Sequence, residues 1–357
     1  MSLPPLFSMF LQYSYNLIDS AFVAHLSENA LTAVSLSFPL TTIMNATSIW
    51  VGVGINVLIA GYLGRKKQTK ANSIASTGLL LSFILGLILN LIVLAASRTY
   101  FQAFTSNDEI FSLCIEYMRI CAFIQIPNMV HIAIQKMLQA TGNMIAPMWF
   151  QIAGVIVNIM FDPLLIFGIG PFPKLGISGA AIATVIGNVV GAGYYIVYFL
   201  KGSSSLSISL KDFSVKEKVA SGVLAIGIPV ALGNLLMSLS SILMNSQMAK
   251  YGDMAVAGVG VAMKVTMMTG MVCIGLGQGV QPLLGYCVGA KNWERYRSSL
   301  KFSLIFAFFL SAALTLICYL FTGQIVSVFL TDAAAYDYGV SFAHILLCTS
   351  FLFGVFY

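Results

Sequence analysis

The sequence predicts an all-α integral membrane protein, and three observations carry that prediction. The chain of 357 residues is 59% hydrophobic and 8% charged, with a mean hydropathy of +0.91, too apolar for a water-soluble domain. Its apolar residues form continuous runs, each long enough for the roughly 20 residues of helix that cross a bilayer. A transmembrane barrel would instead show segments of about ten residues alternating in polarity.

About ten transmembrane helices are expected, at roughly 3–25, 34–63, 72–97, 110–138, 145–169, 176–200, 219–249, 254–288, 297–321 and 334–357. The first run has no basic leader and carries Gln12, Tyr15, Asn16 and Asp19, so it reads as a span rather than a cleaved signal. Several runs carry a polar stripe in steps of three and four residues, one face of a helix. Ser8, Gln12, Tyr15, Asn16 and Asp19 mark run 1; Thr41, Asn45, Ser48, Gly52 and Asn56 mark run 2. Run 4 carries Asn128, His131, Gln135 and Gln139, run 5 Gln151, Gly154, Asn158 and Asp162, and run 6 Thr184, Asn188, Gly191 and Tyr195. Taken singly, neutral residues of this kind are ordinary interhelical hydrogen-bonding glue. The six cysteines lie singly in apolar runs with no CxxC pair and read as small core residues.

Orientation follows from the basic residues, which stay on the cytoplasmic side. Arg65, Lys66, Lys67 and Lys70 follow run 2, Lys136 ends run 4, Lys201, Lys211, Lys216 and Lys218 follow run 6, and Lys291, Arg295, Arg297 and Lys301 follow run 8. Arg98, Arg119, Lys174, Lys250 and Lys264 are scattered over the other side and the spans. A multi-pass protein of the plasma (cell inner) membrane with a cytoplasmic amino terminus is expected. The net charge of +6 follows from this asymmetry and implies no nucleic acid partner.

The second half repeats the first. An offset of 225 residues aligns Pro4 with Pro229, Leu11 with Leu236, Ala30 with Ala255, Gly52 with Gly277, Gly54 with Gly279, Gly64 with Gly289 and Lys66 with Lys291, without a gap. Six runs precede the repeat, so both halves enter from the same side, as parallel repeats of secondary transporters do. The expected organisation is a six-helix bundle over 1–200, a cytoplasmic linker over 201–218, and a second bundle over 219–357. Tyr357 corresponds to Ile132 in the middle of run 4, so this second bundle is expected to hold about four of its six helices, and the chain reads as a fragment.

Asp19 and Asp162 are the sharpest functional signal. A carboxylate inside an apolar span is costly unless it faces water or a partner, and reads by default as part of an ion or substrate pathway. Each lies about six residues before the outer end of its run, or about 9 Å below that surface, and Thr184 enters run 6 to a similar depth. Asn158, one turn from Asp162, adds an amide oxygen, and Pro163 cannot donate to the carbonyl of Ile159, leaving an acceptor beside the carboxylate. The alternative is that Asp162 caps a helix end at the interface, which would leave run 5 about 15 residues after Pro147, short of a span. Two neighbouring carboxylates do not both stay ionised cheaply, so the pair either keeps a proton or shares a cation. Either outcome couples ion binding to helix packing.

Glu116 and Arg119, three residues apart near the outer end of run 4, read as a local ion pair. Lys264 lies near the middle of run 8, where it either snorkels or lines a central cavity. Around it Met237, Met244, Met267 and Met271 belong to a methionine-rich pair of helices, and thioethers repack around varied shapes, as a substrate cavity or plain packing would use them.

The stretch 138–187, LQATGNMIAPMWFQIAGVIVNIMFDPLLIFGIGPFPKLGISGAAIATVIG, together with YNLIDSAFVAHL and LTAVSLSFPL, resembles the multidrug and toxic compound extrusion (MATE) family, over essentially the whole chain. The resemblance implies two six-helix bundles rocking between inward- and outward-open states, and export of compounds against inward sodium or proton flow. Asp19, Asn158, Asp162 and Thr184 fall on the positions that bind the coupling cation in such proteins. Some relatives carry an acid in helix 7 as well; run 7 has none, and the repeat partner of Asp19 is Met244.

The expected function is thus a cation-coupled antiporter exporting amphipathic organic compounds, a monomer whose partners are a small-molecule substrate and membrane lipid. No organic cofactor is expected, and no metal beyond sodium, should sodium rather than a proton be the coupling ion. Two rivals are a flippase for lipid-linked sugars of the same superfamily, which a basic central cavity would favour, and a membrane-embedded enzyme. The enzyme would need clustered acids facing a surface, and the inner loops are basic. There is no GxxxxGK[ST] phosphate loop.

Overall fold

The computed structural model describes residues 2–12, 28–105, 107–169, 171–173, 175–200, 205–208, 219–330 and 333–356. Asp19, Tyr15 and Asn16 lie outside the described residues. Every regular element among the described residues is helical. In chain order these are α1, described over 3–12, then α2 (Glu28–Gly64), α3 (Gln68–Phe104), α4 (Asp108–Ala140), α5 (Ile145–Phe167), α6 (Ile177–Leu200), α7 (Val219–Met248), α8 (Asp253–Gly289), α9 (Trp293–Leu320), α10 (Thr322–Phe329), α11 (Ala333–Ser350) and α12 (Phe353–Phe356). Eight helices among the described residues are long and apolar enough to cross a membrane, and α6, of 24 residues, has the length as well.

Helix ends follow local chemistry. Asn107 caps α4, accepting from the backbone N–H of Glu109 at 2.9 Å, and Asn292 caps α9 through the N–H of Arg295 at 3.0 Å; each satisfies a donor the first turn leaves free. Gly168 ends α5 in the left-handed conformation, φ 71°. The sequence predicted nothing for 322–329, where α10 forms. A break at Phe321 ends α9, and the Thr322 hydroxyl donates back to the carbonyl of Cys318 at 2.6 Å.

The repeat governs the helix bounds themselves. Glu28–Gly64 and Asp253–Gly289 are offset by 225 residues at both ends, as are the first residues of α3 and α9, Gln68 and Trp293. The turns that follow α2 and α8 share one hydrogen-bond pattern. Lys66 N–H donates to Leu63 and Lys67 N–H to Tyr62, while Lys291 N–H donates to Val288 and Asn292 N–H to Cys287. Lys66 and Lys291 are the non-glycine residues with positive φ among the described residues, at 58° and 55°.

The chain divides by contact into two compact units, Leu11–Leu235 on one hand and Met1–Phe10 with Leu236–Tyr357 on the other. The two boundaries, after Phe10 and after Leu235, are again offset by 225 residues, so the first helix of each repeat contributes residues to both units. In the larger unit α2 packs on α4, and Val51, Ile55 and Ile59 meet Ile74, Met137 and Val223 in one core. Leu206 joins this core, and its neighbours tie to α3, Gln68 Nε2 donating to the carbonyl of Ser205 at 2.8 Å and Ser207 N–H to Asn72 Oδ1 at 3.3 Å. In the other unit Val261, Val265, Cys318, Val326 and Leu347 form the core.

The repeated glycines have a packing reason. A Cβ on Gly54 would strike the carbonyl of Val223 at the start of α7, and one on its partner Gly279 would lie 2.5 Å from Ser2 Cα at the start of α1. Each repeat thus uses a glycine to admit the first helix of the other. Gly54→Ala and Gly279→Ala should each cost at least the 1–3 kcal/mol typical of overpacking, because backbone rather than a flexible side chain must yield. Thermal unfolding of the purified protein in detergent checks this; an unchanged melting temperature in both variants would contradict it.

Candidate functional site

α5 is continuous through Pro163 to Phe167, so Asp162 is a residue of the helix and not a cap at its end. A helix interior tolerates such a proline in a membrane where neighbours satisfy the freed groups. The one intrahelical bond lost is that to the carbonyl of Ile159. Four residues separate Asn158 from Asp162, which stacks them on one face; Asp162 is 0% exposed and Asn158 4%.

Glycines bring α6 onto this face. A Cβ on Gly187 would lie 2.7 Å from the carbonyl oxygen of Gly154 and 3.2 Å from Asn158 Cβ, the close backbone approach that small residues permit between membrane helices. Nearer its start, Gly179 lies against the backbone of Leu165. Thr184 is therefore delivered to Asn158. The amide is oriented by its surroundings, since the reverse orientation would set its oxygen against the carboxylate. Its nitrogen donates to Asp162 Oδ2 at 2.9 Å, and its oxygen accepts from the Thr184 N–H at 3.0 Å and hydroxyl at 3.3 Å. The Thr184 hydroxyl also lies 3.1 Å from the carbonyl of Ala180.

Asn158, Asp162 and Thr184 thus converge as predicted on one buried cluster of carboxylate, amide and hydroxyl oxygens. Such hard oxygen donors suit a proton or a small hard cation, and a charge change there acts directly on the α5–α6 contact.

Elsewhere the polar stripes join helices. Gln125 Nε2 donates to the carbonyl of Met44 at 2.7 Å and to Ser48 Oγ at 2.9 Å, and Gln151 Nε2 to Gln12 Oε1 at 3.1 Å. Lys264 is exposed on α8, its ammonium 5.9 Å from the centre of the Phe329 ring, a cation–π arrangement. Met237 and Met267 are exposed, Met244 and Met271 half-buried.

Two readings are corrected. Glu116 does not pair with Arg119; its carboxylate accepts from Ser178 Oγ at 2.5 Å, at the N-terminal turn of α6, where the helix dipole favours negative charge. Arg119 is exposed, and no ion pair joins it to Glu116. Lys136, counted with the loop cations, is buried between α2 and α4. Its ammonium donates to Gln139 Oε1 at 3.0 Å, its carbonyl accepts from Asn56 Nδ2 at 2.9 Å, and no carboxylate among the described residues pairs with it. Its place four residues before the end of α4 made it look like a loop charge.

A buried ammonium held by an amide is expensive. Lys136→Met should leave stability unchanged or raise it by about 1–4 kcal/mol, by analogy with buried ion pairs replaced by apolar residues. Gln139→Leu, which strands the charge, should cost about 1.5–3 kcal/mol. Melting temperatures in detergent decide this, and a larger loss in Lys136→Met than in Gln139→Leu would contradict it.

Comparison with known proteins agrees with this architecture. The MatE family profile matches residues 4–164 and 229–357, one segment in each repeat. The multidrug export protein MepA of Staphylococcus aureus is 28% identical over 361 aligned positions, covering 99% of this chain and 78% of MepA. MepA of Staphylococcus haemolyticus is 27% identical, covering 93% and 72%. A MATE crystal structure in a straight conformation superposes with a TM-score of 0.91 at 26% identity, covering 99% of this chain and 81% of that one. A MOP superfamily transporter from Pyrococcus furiosus gives 0.90 at 26%, with the same coverage. With its multi-pass helical repeats and a family profile matching most of its length, this chain belongs to the MatE family of membrane transporters.

Proposed function

We propose that the protein is a cation-coupled antiporter that exports amphipathic organic compounds by alternating access, with Asp162, Asn158 and Thr184 binding the coupling ion and Asp19 joining them. The observation that carries the reading is the Asp162 carboxylate, fully buried in mid-helix and hydrogen-bonded through Asn158 to α6. Ion entry from outside, down an inside-negative potential worth about 2.3 kcal/mol per charge per 100 mV, supplies the energy, with no organic cofactor. Binding or release of the ion changes the charge against which α5 and α6 pack, and this biases one arrangement of the amino-terminal helices over the other. Similarity to proteins known for multidrug export supports organic compounds as the cargo. The exposed methionines Met237 and Met267, with Met244, Met271 and Lys264, are proposed to line the substrate cavity. A monomer in the plasma membrane with its amino terminus in the cytoplasm completes the proposal.

Ethidium efflux from proteoliposomes tests it. An imposed sodium or proton gradient should drive ethidium against its own concentration gradient. Efflux that ignores both gradients would reject the coupling.

A further inference from the structure

The turn that joins α8 to α9, residues 290–292, opens a strongly basic stretch. Lys291, Arg295, Arg297 and Lys301 are all exposed, Glu294 is the one acid between Gly289 and Lys301, and none of the four cations is paired with a carboxylate among the described residues. Membrane orientation alone asks only that such charges lie on one side of the bilayer; two of these also share one face of a helix. Arg295 precedes Phe302 by seven residues, two turns, and Lys301 precedes Ile305 by four, one turn, so both stand over the same line of α9. That line is apolar and open. Phe302 is 70% exposed, Ile305, Phe306 and Phe309 are exposed after it, and the rings of Phe302 and Phe306 stack at 6.1 Å between centroids and 10° between planes. Cations at the head of an exposed apolar strip match the polarity of a phospholipid, anionic head above acyl chain.

The first repeat shows that this arrangement does not come with the fold. At the 225-residue offset Trp293, Arg297, Lys301 and Phe302 correspond to Gln68, Asn72, Ser76 and Thr77. There the face is closed by protein: Gln68 donates to the carbonyl of Ser205, Asn72 accepts from the Ser207 N–H, Leu206 is buried in the core, and Thr77 is 4% exposed. In α9 the two amides that hold that segment are replaced by an indole and a guanidinium, and Ser76 by an ammonium. These are side chains of a bilayer interface, so what meets this face differs in kind from the chain segment that meets α3. The turn itself adds a second sign. Lys291 holds φ 55° and its counterpart Lys66 58°, a left-handed conformation that glycine adopts more readily at a helix end. Both repeats keep lysine there, so the ammonium is retained against the preference of the backbone.

We propose that the α8–α9 turn binds an anionic phospholipid, its phosphate among Lys291, Arg295 and Lys301 and an acyl chain along Phe302, Phe306 and Phe309. Trp293 and Arg297 flank the headgroup. Each cation facing an anionic lipid strengthens binding about fivefold, and added salt weakens it. The site asks nothing of Asp162 or of the coupling ion.

Native mass spectrometry of the full chain, released from detergent with either dioleoyl phosphatidylglycerol or dioleoyl phosphatidylcholine, tests this. The first phosphatidylglycerol should bind about tenfold or more tightly than phosphatidylcholine. Arg295→Gln combined with Lys301→Gln should weaken phosphatidylglycerol binding about 25-fold, fivefold for each cation removed, and leave phosphatidylcholine within about twofold. Lys291→Gly separates lipid binding from folding: phosphatidylglycerol should bind about fivefold more weakly while the melting temperature in detergent stays level or rises, since glycine suits the left-handed turn. Equal affinity for the two lipids overturns the proposal, as does wild-type phosphatidylglycerol affinity in the double variant or in Lys291→Gly. Inorganic phosphate in millimolar excess should leave the lipid bound; displacement by phosphate would mean an anion site in which the apolar strip plays no part, and overturns it too. A dimer that forms without retained lipid and is lost in the double variant would assign the face to a second copy of the chain instead.

Discussion

Asp162→Asn should abolish ion-driven efflux while leaving membrane insertion and helix content intact. The substitution keeps the shape of the side chain and its place against Asn158, which donates to Oδ2 at 2.9 Å, but removes the charge that a proton or sodium would neutralise. An uncharged amide gives the α5–α6 contact no state to switch between. Vesicles with imposed gradients read this directly, circular dichroism reports the fold, and coupled efflux at the wild-type rate would contradict the assignment. The expected loss is complete, because no other carboxylate among the described residues of α5 or α6 takes its place.

Asn158→Leu should weaken coupling by degrees. Leucine is close in size but offers nothing to Asp162 on one side or Thr184 on the other, so a hydrogen bond to a charged group is lost, worth about 1.5–3 kcal/mol. That corresponds to a shift of about tenfold to a hundredfold in the ion concentration for half-maximal efflux, upward for sodium, which loses an amide ligand, and downward for a proton, because the lost N–H bond had favoured the ionised carboxylate. Maximal efflux at saturating ion should survive. An unchanged ion dependence would mean that the amide only packs the helices.

Much of this was legible in the sequence because membrane helices write their periodicity and their charge plainly. Among the described residues runs 2 to 9 matched helices to within several residues at each end, whereas run 10 is divided into Ala333–Ser350 and Phe353–Phe356, and the 225-residue offset reappeared in helix bounds, turn hydrogen bonds and unit boundaries. The convergence of Asn158, Asp162 and Thr184 was readable from spacing and depth, since four residues on one helix and a matching depth on the next leave few arrangements. What was not legible depended on a neighbour. Periodicity gives the face a residue occupies but not the helix that face meets, so Glu116 could pair on paper with Arg119 while Ser178 of α6 took its carboxylate. Lys136 was hidden for the same reason, its burial set by Gly52 and Asn56 of α2, a helix about 80 residues earlier in the chain. The packing of His131 against Tyr195 had a visible trace, since Gly191 and Tyr195 share a stripe four residues apart, but nothing in that stripe names α4 as the partner.

The most direct test of the central claim is to drive the transporter backwards and watch the ion. Wild-type protein in sealed vesicles is given an ethidium gradient and no ion gradient, and the movement of protons and of radioactive sodium is followed. The account predicts that collapse of the ethidium gradient pulls one of these cations in the opposite direction, and that the counterflow disappears in Asp162→Asn. Ethidium movement at the normal rate without movement of either cation would contradict it.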